Sequence, residues 1–361
     1  MRDEIYLIVD GKRIENFLSY KLEADIYTAD DAFSLELANP EINIRTGLLC
    51  ELWVNNDREL VGIIDRVMPS YNKQGRKLTI EGRDLCGLLV DSCCEEFITV
   101  EGMRLKTLAE RLLKKITFIN RNDIDYQENI RGNLKKKKGR SSYLALTDEA
   151  QNFSHIMPGQ TIFEVLKIYA MSRGMIFYAL PSGKLVFGKP KDGGDPLFQL
   201  VNKIKDSSEN NVLSGAKIED SSKCFSMVTV VGQQQGMDSI GPSTINTKAA
   251  VENKTWPFYD DKGKLRIYKP YVAIDNNDSR SPKLHVQMLI EKMRQESFQL
   301  EYTVAGHSQG NRNWTINEMC RVTDEVFELE QSFLIYGRTF ELSKEKGVIT
   351  TLKLGYPGKV Q

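Results

Sequence analysis

The chain has 361 residues, 41% hydrophobic and 27% charged, with 49 basic and 49 acidic side chains and a formal net charge of zero. That length exceeds one ordinary core and calls for roughly two to four domains; the apolar content excludes a disordered chain, and the neutral balance excludes a general polyanion binder. No apolar run is long enough to cross a bilayer, and Met1-Arg2-Asp3-Glu4-Ile5 has no secretory pattern, so the sequence predicts folding in a reducing cytoplasm without membrane insertion.

Residues 3–90 read as strand after strand. Apolar and polar side chains alternate through 6–9, 13–18, 22–27, 33–37, 48–54, 60–68 and 77–82. Turn residues separate these runs: Asp10-Gly11, Ala29-Asp30-Asp31, Asn39-Pro40, Asn55-Asn56-Asp57 and Asn72-Lys73-Gln74-Gly75. Regular strands with no long helical pattern between them predict a small antiparallel β-barrel, placed at 1–94. Residues 95–190 then read as a small α/β insert. Leu105, Leu108, Leu112, Leu113 and Ile116 give a helix over 104–116, and a strand-like piece around Asp125-Tyr126 follows. After a polar, basic segment at 131–140, a second helix over 161–173 carries Ile162, Val165, Leu166 and Tyr169 on one face. Thr161 caps it and Gly174 stops it. A hairpin of 175–180 and 184–187 turns at Pro181-Ser182-Gly183.

Residues 191–361 return to strands and predict a second barrel, interrupted by an irregular excursion at about 233–280 that is rich in Gly, Ser, Asn and Asp in its first half. Ser281-Pro282 opens a helix that ends near Ser297, and strands at 319–322, 332–342 and 348–354 close the chain. The two strand-rich regions echo each other. Phe33-Ser34-Leu35-Glu36, Cys50-Glu51-Leu52, Ile63-Ile64-Asp65-Arg66 and Gly75 return as Phe298-Gln299-Leu300-Glu301, Cys320-Arg321-Val322, Ile335-Tyr336-Gly337-Arg338 and Gly347, with the same gap from arginine to glycine. Phe225-Ser226-Met227 also matches Phe33-Ser34-Leu35, so Phe225 and Phe298 compete as the partner of Phe33. The predicted fold is mainly β with an α+β insert: two similar small antiparallel barrels and a small α/β domain.

Chemical signals are weak. Cys50, Cys224 and Cys320 lie in alternating apolar stretches as small hydrophobes. Cys86, Cys93 and Cys94 are closer together but lack a nearby histidine and the Cys-x-x-Cys spacing of a metal site. Gly306-His307-Ser308-Gln309-Gly310 matches the Gly-x-Ser-x-Gly nucleophile elbow letter for letter. No helical pattern follows it, however. The hydrolase order also needs a histidine after the serine, whereas His155, His285 and His307 all precede Ser308. The serine-hydrolase alternative rests on Ser308 alone. Lys135-Lys136-Lys137-Lys138 with Arg131 and Arg140 form a basic cluster without interleaved aromatic residues, which reads as a solvated loop. Glu95-Glu96 and Asp260-Asp261 lack a setting that would split their pKa values. No phosphate-binding loop, zinc-protease helix or dinucleotide fingerprint occurs. The residues therefore predict no enzyme, with no catalytic, cofactor-binding or metal site.

Three places carry a family resemblance. The first barrel closes on Ile63-Ile64-Asp65-Arg66 and Gly82-Arg83-Asp84-Leu85. The insert holds Gly159-Gln160-Thr161-Ile162-Phe163, Gly174-Met175 and Gly183-Lys184-Leu185. The C-terminal run holds Val304-Ala305-Gly306, Trp314, Asn317, Val322-Thr323-Asp324 and Leu334-Ile335. In this order, over nearly the whole chain, they resemble the baseplate hub protein of Mu-like contractile phages, counterpart of the T-even phage hub and of the hub part of VgrG spike proteins. The resemblance implies a structural part of a virion tail baseplate, assembled in the host cytoplasm. It implies a homotrimer whose six barrels form a pseudo-sixfold ring between the hexameric tail tube and a trimeric central spike, with other baseplate proteins outside and DNA only in transit through the channel. The chain closes at Gln361 soon after the second barrel, so a separate spike protein is expected. The hub of a phage-derived injection device, such as a pyocin or a type VI secretion system, needs the same geometry and stays open.

Overall fold

The computed structural model describes residues 3–38, 44–73, 75–100, 102–127, 155–171, 175–234, 245–254, 257–275 and 282–358. Alternation decides the first strands: β1 (Ile5–Val9), β2 (Lys12–Ile14), β3 (Ser19–Asp25), β4 (Ala32–Ala38), β5 (Leu49–Val54), β6 (Asp57–Asn72) and β7 (Gly75–Asp84). Every second residue of β3 and β4 is buried, so Tyr20, Leu22, Ala24, Phe33, Leu35 and Leu37 share one face. Asp10 and Gly11 both take positive φ, 50° and 72°, the mirror-image turn that suits a tight hairpin between β1 and β2. β6 is too long to pair evenly with β7, and a bulge between Ile64 and Arg66 absorbs the extra residue. Two glycines make room there. A Cβ on Gly62 would stand 2.0 Å from the Arg83 carbonyl oxygen, and one on Gly82 would stand 2.3 Å from that of Ile63.

The insert comprises α1 (Cys86–Asp91), β8 (Ile98–Thr99), α2 (Leu105–Leu112), β9 (Asp125–Tyr126), β10 (His155–Ile156), α3 (Ile162–Met171), β11 (Ile176–Ala179) and β12 (Leu185–Gly188). α2 and α3 are where the 3.6-residue period places them, while α1 was not expected. α2 stops at Leu112, four residues before the predicted end, and tightens into a 3₁₀ turn over Leu113–Lys115. The Thr161 hydroxyl accepts the Glu164 N–H at 3.2 Å, as a cap should. Gly174 and the basic segment 131–140 lie outside the described residues. A separate apolar cluster holds the insert together, with Phe177 stacked on Phe187 at 4.5 Å.

Next come β13 (Phe198–Asn202), β14 (Val212–Glu219), β15 (Met227–Gln234), β16 (Ile245–Glu252), β17 (Pro270–Asp275) and α4 (Pro282–Ser297). The expected irregular excursion at 233–280 is in part regular: β16 and β17 flank β15 in a small sheet of their own, and α4 lies over it. Val228 and Val230 of β15 pack with Val286 and Met293 of α4, so the Phe225 strand serves this lobe and not the main sheet. The polar composition misled here because only one face of so small a sheet needs apolar residues.

The chain ends with β18 (Phe298–Ala305), β19 (Ser308–Gln309), β20 (Arg312–Asn313), β21 (Glu318–Asp324), β22 (Leu329–Ser343) and β23 (Gly347–Gly355). The main sheet reveals the repeat. One half runs in the spatial order β3-β4-β7-β6-β5-β1, and the other runs β14-β18-β23-β22-β21-β13. Each long hairpin carries its bulge at the same place: Ile64 stands opposite Gly82 before the first, Ile335 opposite Leu354 before the second. The strand of Phe298, β18, is thus the counterpart of β4. Within it Leu300, opposite Leu354, occupies the place of Phe33, opposite Gly82. On the long strand the letter echo slips by one, since Gly337, not Arg338, follows the bulge as Arg66 does. One difference is the outermost pairing, antiparallel for β1 with β5 but parallel for β13 with β21.

Two separate barrels were expected; the strands form one 13-stranded sheet instead, and among the described residues no ladder closes either half on itself. The reason is the length of β22. Residues 329–335 pair with β21, and beyond the bulge residues 337–342 continue past it and pair with β3 of the other half. A single apolar core spans both halves, joining Leu35, Leu52 and Ile80 to Leu300, Phe333 and Leu352. Gly82→Ala should cost about 1–3 kcal/mol in urea unfolding, because backbone, not a side-chain end, blocks the new methyl. Gly193→Ala, with nothing within 4 Å, should cost almost nothing; equal midpoints for the two would disprove the close approach.

Candidate functional site, a buried polar seam between the repeats

Charged groups lie where the two halves meet. Glu59 starts the buried part of β6 and Arg338 follows the bulge of β22; they are 7% and 3% exposed. Arg338 Nη1 lies 2.8 Å from Glu59 Oε2 and donates to the Trp314 carbonyl at 2.6 Å. Asn313 Nδ2 donates to the other Glu59 oxygen at 2.7 Å and to the Val54 carbonyl at 3.0 Å, while its own Oδ1 accepts from Asn55 at 2.8 Å. The guanidinium also sits 4.0 Å from the Phe340 ring centroid. A buried ion pair needs its remaining lone pairs and protons engaged, and this network engages both Glu59 oxygens and Arg338 Nη1 across the seam, while Arg338 Nε is buried without a partner.

The Gly-x-Ser-x-Gly stretch belongs to the same seam. Gly306 and Gly310 have φ of 74° and 64°, and Ser308-Gln309 pairs with Arg312-Asn313 in a short hairpin where a hydrolase would place a helix. His307 is fully buried. The Thr350 hydroxyl donates to the Gly306 carbonyl at 2.6 Å, so it accepts from His307 Nδ1–H at 3.0 Å, and Nε2 accepts from the Tyr20 hydroxyl at 2.8 Å. Both ring nitrogens are therefore committed to structure and neither can activate Ser308. The His307 backbone N–H donates to Asp3 at 3.0 Å, adding a further tie to the first half. Burial pushes the imidazole pKa down to about 4, which keeps the ring neutral.

Gly82-Arg83-Asp84 joins the sheet to the insert. Arg83 reaches Asp65 at 2.7 Å, Asp91 at 2.6 Å and Asp30 at 3.3 Å, and the hydrogen bonds it donates to Asp65 and Asp91 hold its pKa up. Asp84 accepts the Cys86 N–H at 2.9 Å at the start of α1; burial, reinforced by the nearby Asp31 and Asp30 charges, raises its pKa.

The other sequence candidates stay apart. Cys50, Cys86, Cys94 and Cys320 are buried, Cys224 is half-buried and Cys93 is exposed. No group of three or more potential metal ligands occurs among the described residues. Glu95 pairs with Lys115 and Glu96 with Arg111 at the surface, and Asp260 accepts the Lys262 and Lys264 N–H groups in a turn. Lys135 to Lys138 lie outside the described residues. Sequence reasoning missed Glu59, Asn313 and Arg338. Strand parity was the available signal, since Arg338 shares a face with Phe340 and so points inward.

Arg338→Met strands the Glu59 charge and should cost about 3–5 kcal/mol in urea unfolding; Glu59→Met/Arg338→Met should recover much of that, and an equally damaged double variant would contradict the pairing. For His307 the folded pKa lies below the unfolded value of 6.5, so its contribution is complete above pH 6.5 and is lost as pH falls towards 4. That window holds about 3 kcal/mol, which should appear as a steeper acid destabilisation in the native protein than in His307→Gln. Parallel pH profiles would refute it.

The fold and the seam can be set beside known proteins. Residues 4–84 match the family model for the N-terminal part of the Mu phage baseplate assembly protein GpP-like. No curated protein sequence matches the chain. Among solved structures, the tail protein from Neisseria meningitidis MC58 superposes with a TM-score of 0.80 at 23% identity, covering 98% of this chain and 97% of that one. The 43 kDa tail protein of prophage MuSo2 from Shewanella oneidensis gives 0.75 at 19%, with 98% of each chain covered. The E. coli c3393 protein, a component of the type VI secretion system with structural similarity to T4 bacteriophage tail proteins gp27 and gp5, gives 0.54 at 11%, covering 98% of this chain and 77% of that one. Residues 4–84 therefore match the Mu phage baseplate GpP-like N-terminal domain, in a chain whose whole fold is shared with these bacterial and prophage tail proteins.

Proposed function

We propose that the protein is a structural component of a contractile phage or prophage tail: a baseplate hub that works as a homotrimer and has no enzymatic role. One observation carries this reading. Two copies of a six-strand arrangement lie side by side in one sheet, so three chains present six similar units. Such a ring matches sixfold symmetry on one side and threefold symmetry on the other, as a joint between a hexameric tube and a trimeric spike requires. DNA would pass through the lumen. A neutral chain suits transit better than a basic one, which would hold phosphates. The boundaries 1–94, 95–190 and 191–361 suit this plan, except that α1 and Cys94 already pack in the insert's apolar cluster, with each half of the sheet supplying one barrel-like unit once neighbours complete it. The insert and the lobe of β15, β16, β17 and α4 would lie outside, towards other baseplate proteins. No helix among the described residues is long and apolar enough to cross a membrane.

The likeness to a type VI secretion component favours one second reading, the hub of an injection device, in which the same ring carries protein cargo. Head and packaging genes beside this gene would decide for a phage. Sedimentation should show the mass of three chains, either for the protein alone or after mixing with its spike. A monomer at all concentrations that binds neither spike nor tube protein would overturn the hub reading.

A further inference from the structure

The internal junction between the halves has an unpaired counterpart. After its bulge β22 turns residues 337–342 onto β3, in the register Gly337 to Asp25, Thr339 to Glu23 and Leu342 to Tyr20. By the repeat, Arg66 to Tyr71 of β6 correspond to Gly337 to Leu342, and β14 corresponds to β3. Beyond the bulge β6 pairs only with β7, and β14 pairs only with β18; among the described residues the other edge of each is open.

The register of β14 against β3 rests on two observations. Phe33 faces Leu22, and its counterpart Leu300 faces Lys217. Independently, an aspartate at the end of β3 (Asp25) and one just after β14 (Asp220) open the same turn. Asp25 accepts the Tyr27 N–H at 2.9 Å through Oδ1 and the Thr28 N–H at 3.2 Å through its carbonyl, while Asp220 accepts Ser222 at 2.9 Å and Lys223 at 3.3 Å in the same ways. Asp220 therefore stands for Asp25, Ile218 for Glu23 and Gly215 for Tyr20.

We propose that the β6 edge of one chain pairs antiparallel with the β14 edge of a second copy, Arg66 opposite Asp220, Met68 opposite Ile218 and Tyr71 opposite Gly215. This rests on the hub reading and specifies its subunit contact. The edges suit one another: Arg66 meets an acidic partner, and Tyr71 is 88% exposed and Ile218 50% exposed in the single chain. The contact is head-to-tail, so it closes into a ring only if each step turns by the right angle.

The new junction is weaker than the internal one. Ile26 donates to the Tyr336 carbonyl at 3.0 Å, which puts Arg338, Phe340 and Leu342 in the positions that hydrogen-bond to β3. Pro69 takes the place of Phe340 and has no N–H to give. Lys217 replaces the buried Leu22. Proline and lysine are also what shields an exposed edge from random pairing, so this edge accepts its proper partner without inviting others.

The test is disulfide trapping. Met68→Cys/Ile218→Cys should cross-link chains under mild oxidation into covalent species that stop at three, and Ser70→Cys/Ala216→Cys, an equivalent pair two residues along, should do the same. Met68→Cys/Ser214→Cys is out of register and should not. A trimer by sedimentation without either in-register cross-link would overturn the edge pairing and leave the hub reading standing. Cross-linked species extending beyond three would support the pairing and overturn the closed ring. Neither trimer nor cross-link, with spike and tube protein present as well as without them, would overturn both.

Discussion

The structure turns on the need of a strand edge for hydrogen-bond partners. β22 has 15 residues, while β21 covers only its first part. The N–H and C=O groups beyond that point must find water or another strand, and β3 supplies them. From this one pairing follow the single 13-stranded sheet and the shared apolar core. The bulge between Ile335 and Gly337 changes the direction of the strand just where its partner changes, so the same peptide backbone serves both halves.

Polar groups make that junction specific. Apolar strands could slide past one another by two residues and still bury the same kind of face. Arg338 cannot slide without leaving Glu59, and His307 cannot slide without leaving Tyr20 or Thr350. The cost of an unmatched buried charge is what fixes the register of the two halves. A motif that reads as catalytic in letters is thus a structural latch, because burial and two committed ring nitrogens remove the reactivity its spelling suggests.

Much of this was legible beforehand, and the failures have physical causes. Period-two alternation located the strands around Leu22, Leu35 and Leu52, and the 3.6 period located α2 and α3, because each buries a single face. The repeat was visible in Cys50 and Gly75, yet the letters slipped by two at Phe33, whose counterpart is Leu300, and by one on the long strand. The two hairpins share their bulge, but Asn72 pairs with Gly75 whereas Ser343 pairs with Gly347; the second turn is one residue longer, and counting back from the glycines made Arg338 look like the mate of Arg66. The lobe around β15 was obscured by its polar outer face. Two barrels were expected where one sheet exists, since local alternation reports which residues face inward but not which strand lies next door. The partners of Glu59 are some 250 to 280 residues away in sequence, a distance no local pattern spans.

The lobe of β15, β16, β17 and α4 has a further consequence for how such a chain can change. Glu219, the last residue of β14, stands opposite Phe298, the first residue of β18. The chain leaves the main sheet and re-enters it at one point, so the whole lobe is topologically the loop of a hairpin. Closing a longer loop costs only a slowly growing entropy, and the sheet neither gains nor loses a strand by it. The lobe can therefore be lengthened, shortened or exchanged by recombination while the framework keeps its register. An assembly that must keep one symmetric interior while meeting different neighbours outside can leave its variation to that hairpin.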